Sequence, residues 1–202
     1  MDWISDPQAW IALLTLTVLE IVLGVDNVIF ISILSSKLPE SERAKARTLG
    51  LALALIGRVV LLLSLSWVIG LKATLFSLVG EEISGRDLIM LGGGLFLLAK
   101  ATHEIHGSME GGGHERTAGS ASFASVITQI LVLDIVFSLD SVITAVGMAD
   151  DIAVMITAVV VAVLFMMASA GAISTFIHKH PTVKMLALAF LLLVGVALVA
   201  DG

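Results

Sequence analysis

The sequence predicts an all-α polytopic membrane protein whose six transmembrane helices form two inverted three-helix repeats. Its residues are 58% hydrophobic and only 14% charged, with a mean hydropathy of +1.07. Several apolar runs reach the ~20 residues that a helix needs to cross a ~30 Å hydrocarbon core. The first and fourth of these runs carry the same polar motif. A soluble domain averages about 25% charged residues, so an ordinary soluble fold is excluded.

The six predicted spans are separated by polar segments of unequal length. Pro39 and the charged residues after it predict a turn and a short amphipathic start to the second span. Asp150 and Asp151 leave room only for a tight hairpin between the fourth and fifth spans. Pro181 stands where the first turn of the sixth helix tolerates a proline. The spans are expected at residues 9–34, 49–71, 88–102, 122–148, 152–177 and 182–200.

The spans divide the chain into three predicted regions. Residues 1–102 form the first repeat and residues 122–202 the second. Residues 103–121, rich in Gly, His and Glu, are expected to be a flexible cytoplasmic loop.

The basic residues predict the orientation of the chain. Lys and Arg are concentrated in the first, third and fifth loops, whereas the N-terminus and the fourth loop have none. Because basic loops stay in the cytoplasm, the N-terminus is expected outside it. No basic residue precedes the first apolar run, so that run is interpreted as a retained span and not as a signal peptide.

The composition also limits the chemistry. The chain has no cysteine, which excludes disulfides, iron–sulfur clusters and thiolate metal sites. Any metal must therefore be bound by oxygen or imidazole, and no resident cofactor is expected. No basic surface suits nucleic acid. The expected partners are a divalent metal ion, the lipid bilayer and, as an open alternative, further copies of the chain.

The repeated motif is the central feature. Residues 18–29 and 132–143 agree at seven of twelve positions, and Glu20 is replaced by Asp134 in the second copy. The copies lie three spans apart, so they must cross the membrane in opposite directions, as in the inverted repeats of secondary transporters. A charge at hydrocarbon depth costs at least ~2.5–3.5 kcal/mol, which a bound cation, a proton relay or a buried ion pair would justify.

Oxygen-bearing side chains of both motifs suit a hard or borderline divalent cation such as Mn²⁺, Mg²⁺ or Ca²⁺. Gly24 and Ser138 are expected to mark helix breaks that expose carbonyl oxygens to the ion. The predicted metal ligands are Glu20, Asp26, Asn27, Asp134, Asp140 and Ser141.

Other charged residues have structural alternatives. The carboxyls could neutralise Arg58 and Lys100 as buried ion pairs, although four acids exceed two bases. Lys100 and Asp201 occupy equivalent positions in the two repeats, which predicts a salt bridge or a gate. Weaker candidates for a cytoplasmic mouth are His103, Glu104 and His106. The Gly92–Gly94 run is interpreted as a close helix contact.

At these motifs the sequence resembles the TerC family of integral membrane proteins. The resemblance rests on the two motifs, on the Gly92–Lys100 segment and on Leu188–Gly195 leading to Asp201-Gly202, and it covers essentially the whole chain. It implies a bacterial inner-membrane metal-ion transporter, with Mn²⁺ efflux in several relatives, and the six motif residues as the ion site. Family members commonly continue into a seventh span after this Asp-Gly, which points to a truncated or processed form here.

The favoured hypothesis is a proton-coupled divalent-cation exporter, with Mn²⁺ preferred. In it Asp26 and Asp140 coordinate the ion while Glu20 and Asp134 exchange protons. A membrane partner that delivers or senses metal without transporting it is the alternative. An intramembrane aspartyl protease and an exporter of organic solutes are the less favoured hypotheses, and no enzyme activity is expected.

Overall fold

The computed structural model describes residues 6–64, 74–78, 81–109, 122–148 and 151–202, which form six long helices and one short β-hairpin. The helices are α1 (Pro7–Ser35), α2 (Glu40–Leu63), α3 (Gly85–Met109), α4 (Phe123–Met148), α5 (Ile152–Lys179) and α6 (Pro181–Asp201). The antiparallel strands β1 (Thr74–Leu78) and β2 (Glu81–Ser84) lie between α2 and α3.

Five of the described helices are long and apolar enough to cross a membrane, judged by length and composition. They are α1, α2, α3, α5 and α6, and α4 contributes the shorter apolar segment Phe123–Ser138. The prediction of an all-α polytopic membrane protein is confirmed.

The helix boundaries follow local chemistry. The carboxylates of Asp6 and Asp151 accept hydrogen bonds from the backbone nitrogens of Gln8 and Ala153, at 2.9 and 2.8 Å, and so cap α1 and α5. Pro181 lies in the first turn of α6, as predicted. The two caps lie close to the predicted starts of the first and fifth spans. The observed limits of α1 and α5 therefore match the limits expected for those spans closely.

Three boundaries differ from the prediction. Helix α2 ends at Leu63, whereas the second span was expected to continue to residue 71, and residues 65–71 lie outside the described residues. The segment before α3, expected to be a loop, contains the β-hairpin. Helix α3 continues to Met109, so residues 103–109 are helical and are not part of a flexible loop. The reason is packing: Leu97, Ala101 and Glu104 share one buried face of the helix and extend it past the apolar run. The rest of the predicted loop, residues 110–121, lies outside the described residues.

The helices pack in pairs. Helix α3 packs most closely against α6, α1 against α5 and α2 against α4. Helices α1 and α2 are joined by only four residues and run in opposite directions. Helices α2 and α4 run the same way, because Gly50 lies beside Ile130 and Arg58 beside Asp134. Helices α1 and α4, which carry the two motifs, are therefore antiparallel.

The bundle reverses the usual distribution of polar and apolar side chains. Leu14 and Leu186 on its outer surface are 68% and 70% exposed, whereas the charged Arg58 inside it is 3% exposed. Such a large apolar exterior suits contact with lipid.

Candidate ion site

Three charged side chains from three helices meet in the interior. An Nη1–H of Arg58 on α2 donates to Oε2 of Glu20 on α1. The other side of the guanidinium donates to Oδ1 of Asp134 on α4, from Nη2 at 3.2 Å and from Nε at 3.4 Å. All three residues are less than a tenth exposed. We call Glu20, Arg58 and Asp134 the buried triad.

The contacts of the triad distinguish between the roles expected from the sequence. Arg58 is a partner charge, and Glu20 and Asp134 form the buried ion pairs that were the alternative to metal binding. Two carboxylates facing one guanidinium leave a formal charge of −1 when all three are ionised. A guanidinium offers five donors in a planar fork, so it can hold both acids at once.

The two acids are not held alike. The hydroxyl of Ser138, one turn after Asp134, donates to Oδ2 of that carboxylate at 3.2 Å. The equivalent position in the first motif is Gly24, where an added Cβ would overlap the Met166 side chain. Gly24 has no side chain that could donate a hydrogen bond to Glu20, and its small size lets Met166 of α5 pack against α1. Both helices continue unbroken through these residues, so the predicted helix breaks are wrong.

A cavity of about 270 Å³ lies beside the triad and contains the second set of motif residues. It is lined by Asp26 and Asn27 of α1, by Ser141 of α4 and by Arg58 itself, with Asp201 of α6 among the remaining residues. Apolar side chains such as Met90, Val136 and Phe190 make up most of the wall. The cavity is large enough for a cation that keeps part of its water shell, because one water occupies ≈ 30 Å³ of liquid.

The polar groups in this cavity have spare hydrogen-bonding capacity. Asn27 is 8% exposed and its amide nitrogen has no hydrogen-bond partner. The two ends of an amide exchange by rotation, so Asn27 can turn either an oxygen or a nitrogen to the cavity. The Ser141 hydroxyl donates to the Ser138 carbonyl at 3.2 Å, which leaves its oxygen lone pairs to accept or to bind a cation. Asp26 is half-buried.

The six predicted ligands do not form a single coordination shell in the described structure. Asp26 follows Glu20 by six residues and Ser141 follows Asp134 by seven, on antiparallel helices. At 1.5 Å per residue they lie about 9 and 10 Å from the triad in opposite directions. Among the residues the structure describes, no group of three or more His, Asp and Glu is placed to hold a metal. The Asp140 side chain lies outside those residues.

The predicted pair between Lys100 and Asp201 is wrong. Helices α3 and α6 are antiparallel and cross at Gly94 and Gly195, and each charge lies six residues beyond its crossing glycine. The two charges therefore lie at opposite ends of the helix pair. Gly202 lies beside Leu91, about 13 Å along α3 from Lys100 at 1.5 Å per residue.

The three residues predicted at the cytoplasmic mouth, His103, Glu104 and His106, do not lie on the same face of α3. Glu104 is buried and forms an ion pair with Lys37, which follows α1, and its Oε1 lies 3.7 Å from the Lys100 nitrogen. These contacts fasten the end of α3 to the end of α1. His103 and His106 are exposed on the same helix and do not share this face with Glu104.

Asp201 is the site residue that sequence reasoning assigned to the wrong group. It was expected to be a partner of Lys100, yet it lines the cavity that Asp26, Asn27 and Ser141 share. The signal available in the sequence was a carboxylate at the end of a long apolar run. Which cavity it faces depends on how α6 packs on α3.

The chain resembles known membrane proteins over its full length. The model of a family described as "Integral membrane protein TerC family" matches residues 5–202. A protein of Haemophilus influenzae named "UPF0053 protein" is 54% identical over 203 residues, covering 100% of this chain and 86% of that protein. The Escherichia coli "UPF0053 inner membrane protein YgdQ" is 55% identical over 200 residues, covering 99% of this chain and 84% of the relative.

A longer relative shows the same segment within a larger chain. The Escherichia coli "UPF0053 inner membrane protein YoaE" is 52% identical over 204 residues, which is 100% of this chain but only 39% of that protein. No solved structure matches.

Proposed function

Because the chain belongs to the TerC family of integral membrane proteins, we propose that it transports a divalent metal ion across the bacterial inner membrane. Mn²⁺ is the favoured ion and protons the favoured counter-ion. Two of the relatives carry the words "inner membrane protein" in their names, which supports this location. Transport also fits a bundle with several membrane-spanning helices better than an enzyme does.

The observation that carries the proposal is the cavity beside the buried triad. It places the Asp26 carboxylate, the unpartnered Asn27 amide and the Ser141 hydroxyl within apolar helices. Oxygen donors of this kind suit a hard or borderline divalent cation, and no sulfur ligand from cysteine is available. The Asn27 amide nitrogen is a donor and does not bind a cation, so Asn27 would bind the ion through Oδ1, which rotation of the amide can turn towards the cavity.

Proton coupling follows from the same carboxylates. A carboxylate must lose its proton to bind a metal, so metal binding releases protons and protonation releases metal. Glu20 and Asp134, expected from the sequence to exchange protons, already have Arg58 as a counter-charge. In this proposal the exchange is therefore assigned to Asp26.

The proposal is tested by measuring ion flux in proteoliposomes under an imposed pH gradient, with Mn²⁺, Mg²⁺, Ca²⁺ and Zn²⁺ in turn. Asp26→Asn is expected to reduce the flux of the transported ion at least tenfold, because a neutral amide neither attracts the cation nor carries a proton. Asp140→Asn tests the matching residue of the second motif. Asp151→Asn is the control, since it removes a carboxylate while keeping an Asn cap on α5.

The outcomes separate the hypotheses. Flux of one ion, lost in Asp26→Asn and kept in Asp151→Asn, supports the transporter. Metal binding that needs Asp26 without any flux would favour the delivery or sensing partner. The protease hypothesis has little support, because Asp26 and the backbone of Asp140 lie about 9 Å from the triad in opposite directions along their helices.

A further inference from the structure

We infer that Arg58 acts as an internal substitute for the transported cation: it holds Glu20 and Asp134 while the site is empty and yields them when a divalent ion binds. The inference rests on the proposed function and adds a step to it. Arg58 then sets how tightly the ion is bound and how readily it leaves.

The first support is the position of the guanidinium. It is the one cation in contact with both Glu20 and Asp134 among the described residues, and these two acids occupy equivalent positions in the two motifs. It also lines the cavity in which the ion is proposed to bind. Glu20 and Asp134 do not themselves line that cavity, so an ion there reaches the two carboxylates only when Arg58, which contacts both, has moved.

The second support is the charge of the described groups. When ionised, Glu20, Asp134, Asp26 and Asp201 carry four negative charges and Arg58 one positive charge, so their sum is −3. One divalent cation would offset two of these three charges. Arg58 pairs with Glu20 and Asp134 and forms no ion pair with Asp26 in the described structure.

The third support is a place for the displaced guanidinium to go. Asp201, which is not one of the proposed ion ligands, lines the same cavity as Arg58 and offers a carboxylate to which the displaced guanidinium can turn.

A structural role for Arg58 makes the opposite prediction. If Arg58 only neutralised two buried acids that the ion never contacts, removing it would leave those acids to take up protons or would cost the protein its fold, and Mn²⁺ would bind no better. If it competes with the ion, removing it vacates the carboxylates, and the affinity for Mn²⁺ rises while release becomes slow. Binding and transport then change in opposite directions.

The experiment measures Mn²⁺ affinity from the electron paramagnetic resonance signal of free Mn²⁺, using the full chain in detergent, alongside Mn²⁺ flux in proteoliposomes. Arg58→Gln is expected to bind Mn²⁺ at least tenfold more tightly than the unmodified protein and to transport it at least tenfold more slowly. Arg47→Gln is the matched control: Arg47 lies on the same helix, and its Nη1 donates to Ser174 Oγ at 3.3 Å. Its affinity is expected to stay within twofold.

A second variant keeps the test valid if Arg58→Gln does not fold. Arg58→Lys retains a positive charge but loses the planar fork that holds two acids at once, so it should compete less strongly with the ion. We expect it to bind Mn²⁺ several-fold more tightly. If a folded Arg58 variant binds no more tightly than the unmodified protein, which itself binds and transports Mn²⁺, the inference is rejected and the proposed function stands. If the unmodified protein and the folded variants bind no divalent ion, both are rejected.

Discussion

At the scale of single residues, one arginine joins the two copies of the motif. Glu20 and Asp134 occupy equivalent positions on antiparallel helices, and Arg58 donates to both. The Ser138 hydroxyl adds a further donor to Asp134. Asp134 thus accepts hydrogen bonds at both oxygens, and it should contribute more to the stability of the bundle than an acid at the surface.

Asp134→Ala should therefore lower the free energy of unfolding by about 3 kcal/mol, the lower end of the range for breaking a buried ion pair, because Glu20 remains as a partner of Arg58. Unfolding by SDS in mixed micelles, followed by circular dichroism, measures this change. Asp151→Ala removes a capping carboxylate at the surface and should cost about 1 kcal/mol. Equal losses in the two variants would contradict a stabilising role for the triad.

At the scale of helices, glycines set how closely the helices approach. A Cβ on Gly93 would overlap Val136 of α4, and one on Gly94 would lie 2.8 Å from the Gly195 carbonyl oxygen of α6. The interpretation of Gly92–Gly94 as a close helix contact is confirmed for these two residues. Gly92 itself has no neighbouring atom within 4 Å of such a Cβ.

Two single substitutions test this difference. Gly94→Ala should reduce the free energy of unfolding by about 1–3 kcal/mol, because two of the three nearest atoms, the Gly195 oxygen and the Val199 nitrogen, are backbone atoms that cannot move aside. Gly92→Ala, two residues away on the same helix, should be neutral or slightly stabilising, since alanine favours a helix by up to ~1 kcal/mol. The same unfolding assay measures both variants. A larger loss in Gly92→Ala would show that the α3–α6 contact is arranged differently.

Helix pairing also bears on the predicted repeat. If α1–α3 and α4–α6 are equivalent, the contact of α1 with α5 corresponds to that of α4 with α2, and both contacts are present. The antiparallel crossing of α3 and α6 is the arrangement that such a relation requires. The inverted repeat stays a prediction, and these contacts agree with it.

At the scale of the whole molecule, the outward-facing apolar side chains and the buried triad indicate a bundle built for lipid, and the basic loops predict its orientation. Residues 36–39 join α1 to α2, and Lys37 there is paired with Glu104 at the end of α3. The Asp151 cap at the start of α5 lies at the other end of the bundle. The two ends of the bundle should face different compartments.

Because the chain has no cysteine, single cysteines can report this orientation directly. Ala153→Cys at the start of α5 should react with a membrane-impermeant maleimide added to intact spheroplasts, and Glu40→Cys at the start of α2 should react only after the membrane is opened. Both positions are exposed in the structure. The reverse labelling pattern would place the N-terminus in the cytoplasm.

The extent of sequence prediction differs between elements and site. Most span limits were predictable because hydropathy, Pro181 and the Asp151 cap act locally. The end of α3 was not predictable, because its last turns are held by burial of Ala101 and by the ion pairs of Glu104. The motif acids were identified from their cost in an apolar helix, but their partners lie on other helices, which sequence spacing does not reveal.

The sequence by itself determined that this is a membrane protein, that its polar motif is duplicated, and that no cysteine thiolate is available to a metal. Composition and apolar run length decide these points without reference to packing. Only the tertiary structure decided that Arg58 pairs with Glu20 and Asp134, that Asp26, Asn27 and Ser141 share a cavity, and that Lys100 and Asp201 lie apart. The physical reason is that these relations depend on the direction and crossing of helices distant in the chain.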